Sequence, residues 1–252
     1  MRALLLPLSL LLVVEWAHAA PAAAEAFAPL FELSGISLLC SQAEPLVARG
    51  LTLDQQRPLG QAFAAEALCT DLATQLRDEF ASAELQQAQQ LLSSDLAQRF
   101  TAAERAVGED GGEALSQYRE QLLARPPLAV RLAWVRRLDA AAHTTTLATL
   151  LRYEVGKTQA LLALKARGED LDEPTLSQQT AAQADVLRQS SAVAVEAFML
   201  FAYRQMPNTD LAAYAVLYET PVLARLLARS AQVLPQLFAE RRQAIRAAPV
   251  AK

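Results

Sequence analysis

Gly156-Lys157-Thr158 is the stretch whose residue types most suggest chemistry, because a glycine, a lysine and a hydroxyl in that order can cradle phosphate. Such a loop needs a further glycine five residues before Gly156, a strand ahead of it and a helix behind it. Position 151 is Leu151 and the surrounding periodicity is helical. The tripeptide therefore reads as mid-helix, with Gly156 letting a neighbouring helix approach closely. His143 is a second candidate, since a histidine beside a nucleophile or among other ligands could serve a catalytic triad or a zinc ion. The run His143-Thr144-Thr145-Thr146 reads instead as a helix junction whose hydroxyls satisfy free N–H groups. Glu196 interrupts the apolar run AVAVEAFMLFAY. A lone carboxylate there is either a raised-pKa acid in a cavity or an edge group reaching water or an arginine, and the second reading is preferred. Arg131, Arg136, Arg137 and Arg152 could together hold an anion, although a solvated face explains them more simply. No C-x-x-C pair supports redox work, and no cofactor or metal is expected.

Helices must position these residues. Glycine is sparse, alanine and leucine are abundant and β-branched runs are few, which are helix-forming preferences. The expectation is an all-α multi-helix bundle of about eight to ten helices over residues 20–252. Residues 1–19 read as a secretory signal peptide: Arg2, an apolar run over 4–14, and the A-x-A signal Ala17-His18-Ala19. Cleavage after Ala19 removes Arg2 and Glu15, so 23 basic and 27 acidic residues become 22 and 26 and the net charge stays at −4. That balance lacks the basic footprint of a nucleic-acid binder. The mature chain is expected to be secreted, periplasmic and not membrane-spanning. An even cysteine count in that compartment favours a Cys40–Cys69 disulfide.

Helices are expected over about 24–49, ended by Gly50 in a left-handed cap, and over 52–80, with Pro58 near the first turn. Ser82 and Ser94 read as caps of two helices ending near Leu92 and Val107. The loop GEDGG at 108–112 is a candidate boundary between halves. Further helices run from about 115 to 125, from 128 through Leu138, and from Thr144 to Ala166. A long one, from Thr175 to Met206, is expected to be the most buried. Then comes LAAYAVLYETPVLAR at 211–225, apolar with Tyr214 and Tyr218 on one face, broken at Thr220-Pro221 before a last helix. Every residue of that stretch has a structural use, so it reads as a corner rather than a ligand pocket.

The corner recurs. A shift of 126 residues lays 82–103 over 208–229 without a gap, matching Leu85 to Leu211, Leu91 to Leu217, Arg99 to Arg225 and Ala102 to Ala228. Glu84 then meets Asp210, and the capping hydroxyls Ser94 and Thr220 coincide. The expectation is an internal repeat of 82–105 and 208–231, in a bundle built of two repeated helical hairpin halves, with Ser94 and Thr220 as N-caps. Both copies are similar to a pattern of leucine, aromatic, leucine-aromatic, then x-Ser/Thr-Pro-x-Gly-x-Lys/Arg. The chain thereby resembles the secreted bacterial proteins grouped as domain-of-unknown-function family 2059. Tyr214, Tyr218, Thr220, Pro221 and Arg225 carry the resemblance in one copy, and Ser94, Ala97, Gln98 and Arg99 in the other. Asp95 stands where that pattern has proline, and Leu223 where it has a small residue. Residues 30–42, LFELSGISLLCSQ, are similar to that family's first helix. The resemblance implies a signal peptide and a helical fold, with no assigned activity and no catalytic residues.

From the residues, the leading expectation is a periplasmic, non-enzymatic helical protein that binds an envelope protein or an apolar ligand. The alternatives are a hydrolase-like enzyme using Glu196 or His143, and an envelope chaperone or stress factor.

Overall fold

The computed structural model describes residues 22–108 and 112–247, without the side chains of 53–55, 57 and 58. The expected signal peptide and cleavage position lie outside the described residues, as does most of the GEDGG loop. What is described is all α: twelve α-helices and two short 3-10 turns, with no strand among the described residues.

The number exceeds the expected eight to ten because two long helices are broken. The first gives way at Gly35, whose φ of 80° places it in the left-handed region open to glycine. This leaves a 3-10 turn (Ala24–Phe27), α1 (Ala28–Ser34) and α2 (Ile36–Ala48), with Gly50 left-handed beyond. The second becomes α3 (Leu53–Ala62) and α4 (Ala65–Leu76), parted at Phe63 and followed by a 3-10 turn at Arg77–Glu79. Phe63 is fully buried against Phe238 at 5.4 Å between centroids, so packing of one aromatic ring coincides with the break. The next two are α5 (Ser82–Leu92) and α6 (Asp95–Ala106). Ser82 is inside α5 rather than its cap: Ala81 holds that place, and the Glu84 carboxylate accepts the Ala81 N–H at 2.9 Å.

Then follow α7 (Glu113–Ala124), stopped before Pro126-Pro127, and α8 (Ala129–Ala142). His143, with φ 53°, turns the chain into α9 (Thr144–Ala166). Here the expected hydroxyl capping is replaced by an acid. Asp139 accepts both the N–H and the hydroxyl of Thr145, each at 2.7 Å, and so secures the strained left-handed residue between them. The remaining helices are α10 (Glu173–Ala202), α11 (Asn208–Tyr218) and α12 (Pro221–Ala247). Asp172 caps α10 by accepting the Thr175 N–H at 2.9 Å. The last third of α10, from Val195 through Ala202, is mostly buried, with Glu196 and Phe198 half-buried, but Val193 is 71% exposed, so the helix is not buried all round.

Packing pairs α2 with α4, α9 with α10, α1 with α5 and α8 with α11, while α2 and α9 join the two groups. The last helix of each group crosses over: α12 lies on α3, α4 and α5 as well as α9, and α6 lies on α10 and α11. No single helix among the described residues is long and apolar enough to cross a membrane. Two bent pairs, Ala24–Ser34 with Ile36–Ala48 and Asn208–Tyr218 with Pro221–Ala247, pass by length and composition alone. Both pairs contribute to the buried core.

Cys40 of α2 and Cys69 of α4 form a disulfide with their Cα atoms 6.0 Å apart, across 29 residues of chain. Closing a loop of this size restricts the unfolded chain by about 3–4 kcal/mol. Cys40→Ser in a Cys69→Ser background is expected to lower the unfolding free energy by about that amount in urea titration. Equal urea midpoints for oxidised and doubly substituted protein would count against it.

Candidate functional site

Tyr214 and Tyr218 lie on the inner face of α11 and are buried at 2% and 6% exposure. Tyr214 stacks on Phe100 of α6 at 4.1 Å and meets Tyr203 edge-on at 6.3 Å, and Tyr218 meets Tyr214 edge-on at 5.1 Å. The two hydroxyls are 3.4 Å apart, and the Tyr203 hydroxyl makes a short hydrogen bond to Glu104. Burial pushes all three phenols up, Tyr218 to about 12. Burial also raises Glu104, partly offset by the bond from Tyr203. This is packing with its polar ends satisfied, and Phe100 and Tyr203 are the partners that spacing along α11 could not reveal.

After Tyr218 the chain bends by 69° into α12. Thr220 precedes Pro221, and its hydroxyl donates backward to the Leu217 carbonyl at 2.8 Å. Ser94 donates likewise to Leu91 at 2.7 Å and also accepts the Ala97 N–H at 3.4 Å. The backbone repeats the pattern at the same shift of 126: Ser94 to Leu91 and Thr220 to Leu217, both 3.2 Å, then Gln98 to Ser94 and Ala224 to Thr220. The ion pairs cross between the two corners. Arg99 of the first binds Asp210 of the second at 2.9 Å, while Arg225 of the second binds Glu84 of the first at 2.7 Å. Arg225 also lies over the Phe80 ring at 4.6 Å.

A buried charge cluster was not legible in the sequence. The Arg242 side chain is fully buried between α9 and α10. Its Nη2 donates to Glu173 Oε1 at 2.5 Å and its Nε to Oε2 at 3.0 Å. Nη1 lies 2.7 Å from Glu154 Oε2, a charge contact too bent for an aligned hydrogen bond. Lys157 reaches Glu173 and Ser177, each at 2.9 Å, and Arg246 reaches Glu173 at 3.0 Å. Lys157 and Thr158 of the glycine-lysine-threonine stretch are thus structural. Gly156 admits no close neighbour, since an added Cβ would meet nothing within 4 Å, which corrects the expected close approach. Burial alone would raise Glu173, but hydrogen bonds from Arg242, Lys157 and Arg246 outweigh it and hold it at about 2. Burial does win at Glu154, which is raised despite Arg242 and Lys157.

The other sequence candidates lie apart. Glu196 pairs with Arg136 at 2.8 Å. Arg137 grips Glu219 at the corner with two bonds of 2.6 Å. Arg152 donates to Ser190 and Ser191. Arg131 closes the end of α10 by donating to the Met206 carbonyl at 2.8 Å, to Asn208 Oδ1 at 2.9 Å and, in a short bond, to the Tyr203 carbonyl. The four arginines therefore do not form one anion site. Among the described residues no group of three His, Cys, Asp or Glu side chains is placed to hold a metal ion.

Where α7 turns into α8, an open depression of about 400 Å³ is lined by Tyr118, Pro127, Leu128, Arg131, Leu200, Arg204, Met206 and Asn208. Leu123, Leu128 and Val130 on the same elbow are 89%, 78% and 58% exposed. Arg204 lies over the Phe201 ring at 3.9 Å. An apolar floor edged by guanidinium groups can bind, but it offers no nucleophile or acid–base pair among its lining residues.

Two substitutions separate packing from charge. Tyr218→Ala is expected to cost about 3–5 kcal/mol through the cavity beside Tyr214, read from chemical denaturation. Glu173 sits at about 2 against an ordinary 4.5. Its stabilisation is complete above about pH 4.5 and is lost as pH falls toward 2. Glu154, raised by burial, works in the opposite sense and favours the fold as it takes up a proton. Glu173→Gln is expected to destabilise by about 2 kcal/mol at pH 7, after allowing for partial exposure, with the gap to the parent narrowing at acid pH. Parallel stability–pH curves for parent and variant would refute the assignment. In comparison with known proteins, the chain matches no protein-family model, no curated protein sequence and no solved structure.

Proposed function

We propose that this protein is a secreted, periplasmic, non-enzymatic helical protein that acts by binding another envelope protein. The observation that carries the reading is the α7–α8 elbow, where Leu123, Leu128 and Val130 stand exposed beside an open, apolar-floored depression. Exposed apolar side chains gathered in one place cost solubility and are characteristic of partner surfaces. The Cys40–Cys69 bond agrees with an oxidising compartment, and the leader pattern of residues 1–19 supports export. Glu196 has an ion-pair partner in Arg136, which favours its structural reading over the hydrolase alternative.

The chain is further proposed to contain two copies of one helical corner, 82–105 and 208–231, related by an approximate two-fold axis. Reciprocal contacts support this: a two-fold relation turns a contact between Arg99 and Asp210 into one between Arg225 and Glu84. The resemblance to the secreted helical family rests on the same two corners and on residues 30–42.

Chemical cross-linking in intact envelopes, followed by mass spectrometry, is expected to recover one partner protein in near-stoichiometric amount. That partner, purified, should rebind the mature protein, whose N-terminus should be Ala20. Turnover of a substrate by the protein alone, abolished by Glu196→Gln, would replace the binding reading with the enzymatic one.

A further inference from the structure

We infer that the α7–α8 elbow takes an acidic segment of its partner protein, one that carries apolar side chains between its carboxylates. This deepens the binding role proposed above and rests on it.

Charge pairing separates this surface from the rest of the molecule. Elsewhere the arginines are matched with carboxylates: Arg99 with Asp210, Arg105 with Glu32, Arg136 with Glu196, Arg137 with Glu219, Arg229 with Glu79, Arg241 with Asp71. Among the described residues Arg119, Arg125, Arg131 and Arg204 have no carboxylate within ion-pair distance. Arg131 and Arg204 line the depression, and Arg119 and Arg125 each stand within two residues of a lining residue, Tyr118 and Pro127. Arg49 and Arg152 also lack a carboxylate, but they lie away from the elbow, and Arg152 is held by two serines. From Tyr118 to Arg131 the chain carries three arginines and one acid, Glu120, in a protein whose net charge is −4.

Donor capacity remains. A guanidinium has five N–H donors. Arg131 gives three to Tyr203, Met206 and Asn208, and Arg204 gives one to the Phe201 carbonyl. The remaining N–H groups suit carboxylates, which guanidinium binds in pairs of parallel bonds. Between them lies the apolar floor of Tyr118, Leu128, Leu200 and Met206. The depression is open and shallow, so it accepts one or two side chains of a chain lying across it rather than enclosing a lipid tail. An acidic ligand is repelled by the rest of this acidic protein and attracted here, so charge directs where it lands.

A random dodecapeptide library displayed on phage, selected on the mature protein and depleted on a Leu128→Asp, Arg204→Glu variant, tests the inference. Both altered side chains are solvent-exposed, and circular dichroism verifies that the variant keeps its fold; Leu123→Asp alone is the second depletion variant. The expected enrichment is for peptides with several Asp or Glu and one or two Leu or Phe. Their binding should weaken at least tenfold in the variant and should fall as salt is raised. Enrichment of basic or uncharged peptides would overturn the inference, as would failure to enrich any peptide that distinguishes parent from variant. Variant-sensitive binding to phosphatidylglycerol vesicles without peptide binding would assign the elbow to membrane, and variant-sensitive dimerisation would assign it to a second copy. If the partner recovered by cross-linking binds the double variant unchanged, the site is wrong while the binding role stands.

Discussion

The fully buried guanidinium of Arg242 is the interaction on which the rest of the structure depends. A charge placed there is costly unless opposite charges and acceptors surround it, and removing one partner of such a group typically costs about 3–5 kcal/mol. Glu154 of α9 and Glu173 at the start of α10 supply the negative charge, and Thr158 and the Glu154 carbonyl accept at 3.3 Å. Two helices, α9 and α10, must therefore be in register before the last one, α12, can close. Lys157 and Arg246 complete the set, so two carboxylates face three cations. A hydrophobic seam could tolerate a sliding helix; this cluster cannot, because a shift of one turn leaves a buried charge alone.

The same helix carries the restraint along its length. Arg225 and Arg229 near its start hold Glu84 and Glu79, and Arg241 holds Asp71, all from the N-terminal group of helices. Arg242 and Arg246 hold the C-terminal group. Helix α12 thus links both groups, and α6 crosses the other way onto α10 and α11. In the proposed repeat this exchange is what a two-fold relation requires: each corner sends its second helix onto the opposite group. The individual surface pairs are worth little, about 0–1 kcal/mol each, so they set geometry more than stability. The covalent fastening, Cys40 to Cys69, lies within the N-terminal group, whose counterpart α9–α10 is held by the buried cluster instead.

What the sequence could reveal followed from local signals. The all-α class, the disulfide, the break at Thr220-Pro221 and the stop at Pro126-Pro127 each depend on composition or on residues with strong backbone preferences. Gly35 was visible as a glycine, but whether it ends a helix depends on what the following segment packs against. The run His143-Thr144-Thr145-Thr146 marks a junction in the sequence, but the acceptor that caps it is Asp139, one turn back. The buried cluster was invisible for a clear reason. Its members span residues 154 to 246, and each alone looks like an ordinary surface charge on an amphipathic helix. Glu196 breaks an apolar run, yet its helix leaves that position at the edge, within reach of Arg136. Periodicity locates faces; it does not say which face meets which.

The interior and the elbow show opposite solutions to one electrostatic problem. Inside, the cost of desolvation forces the guanidinium groups of Arg241 and Arg242 to find acids during folding, so the charged groups there are used up by the fold. At the elbow, Arg204 and Arg131 are held by backbone carbonyls, the Phe201 ring and the Asn208 amide, and they, like Arg119 and Arg125 nearby in sequence, keep their charge without a carboxylate beside the exposed Leu128. Water screens those cations when the surface is free; a chain that covers the apolar floor removes that water and strengthens each guanidinium–carboxylate contact it makes. Apolar contact and charge pairing therefore reinforce one another only for a ligand that has both, and neither a purely acidic nor a purely apolar segment gains from the combination.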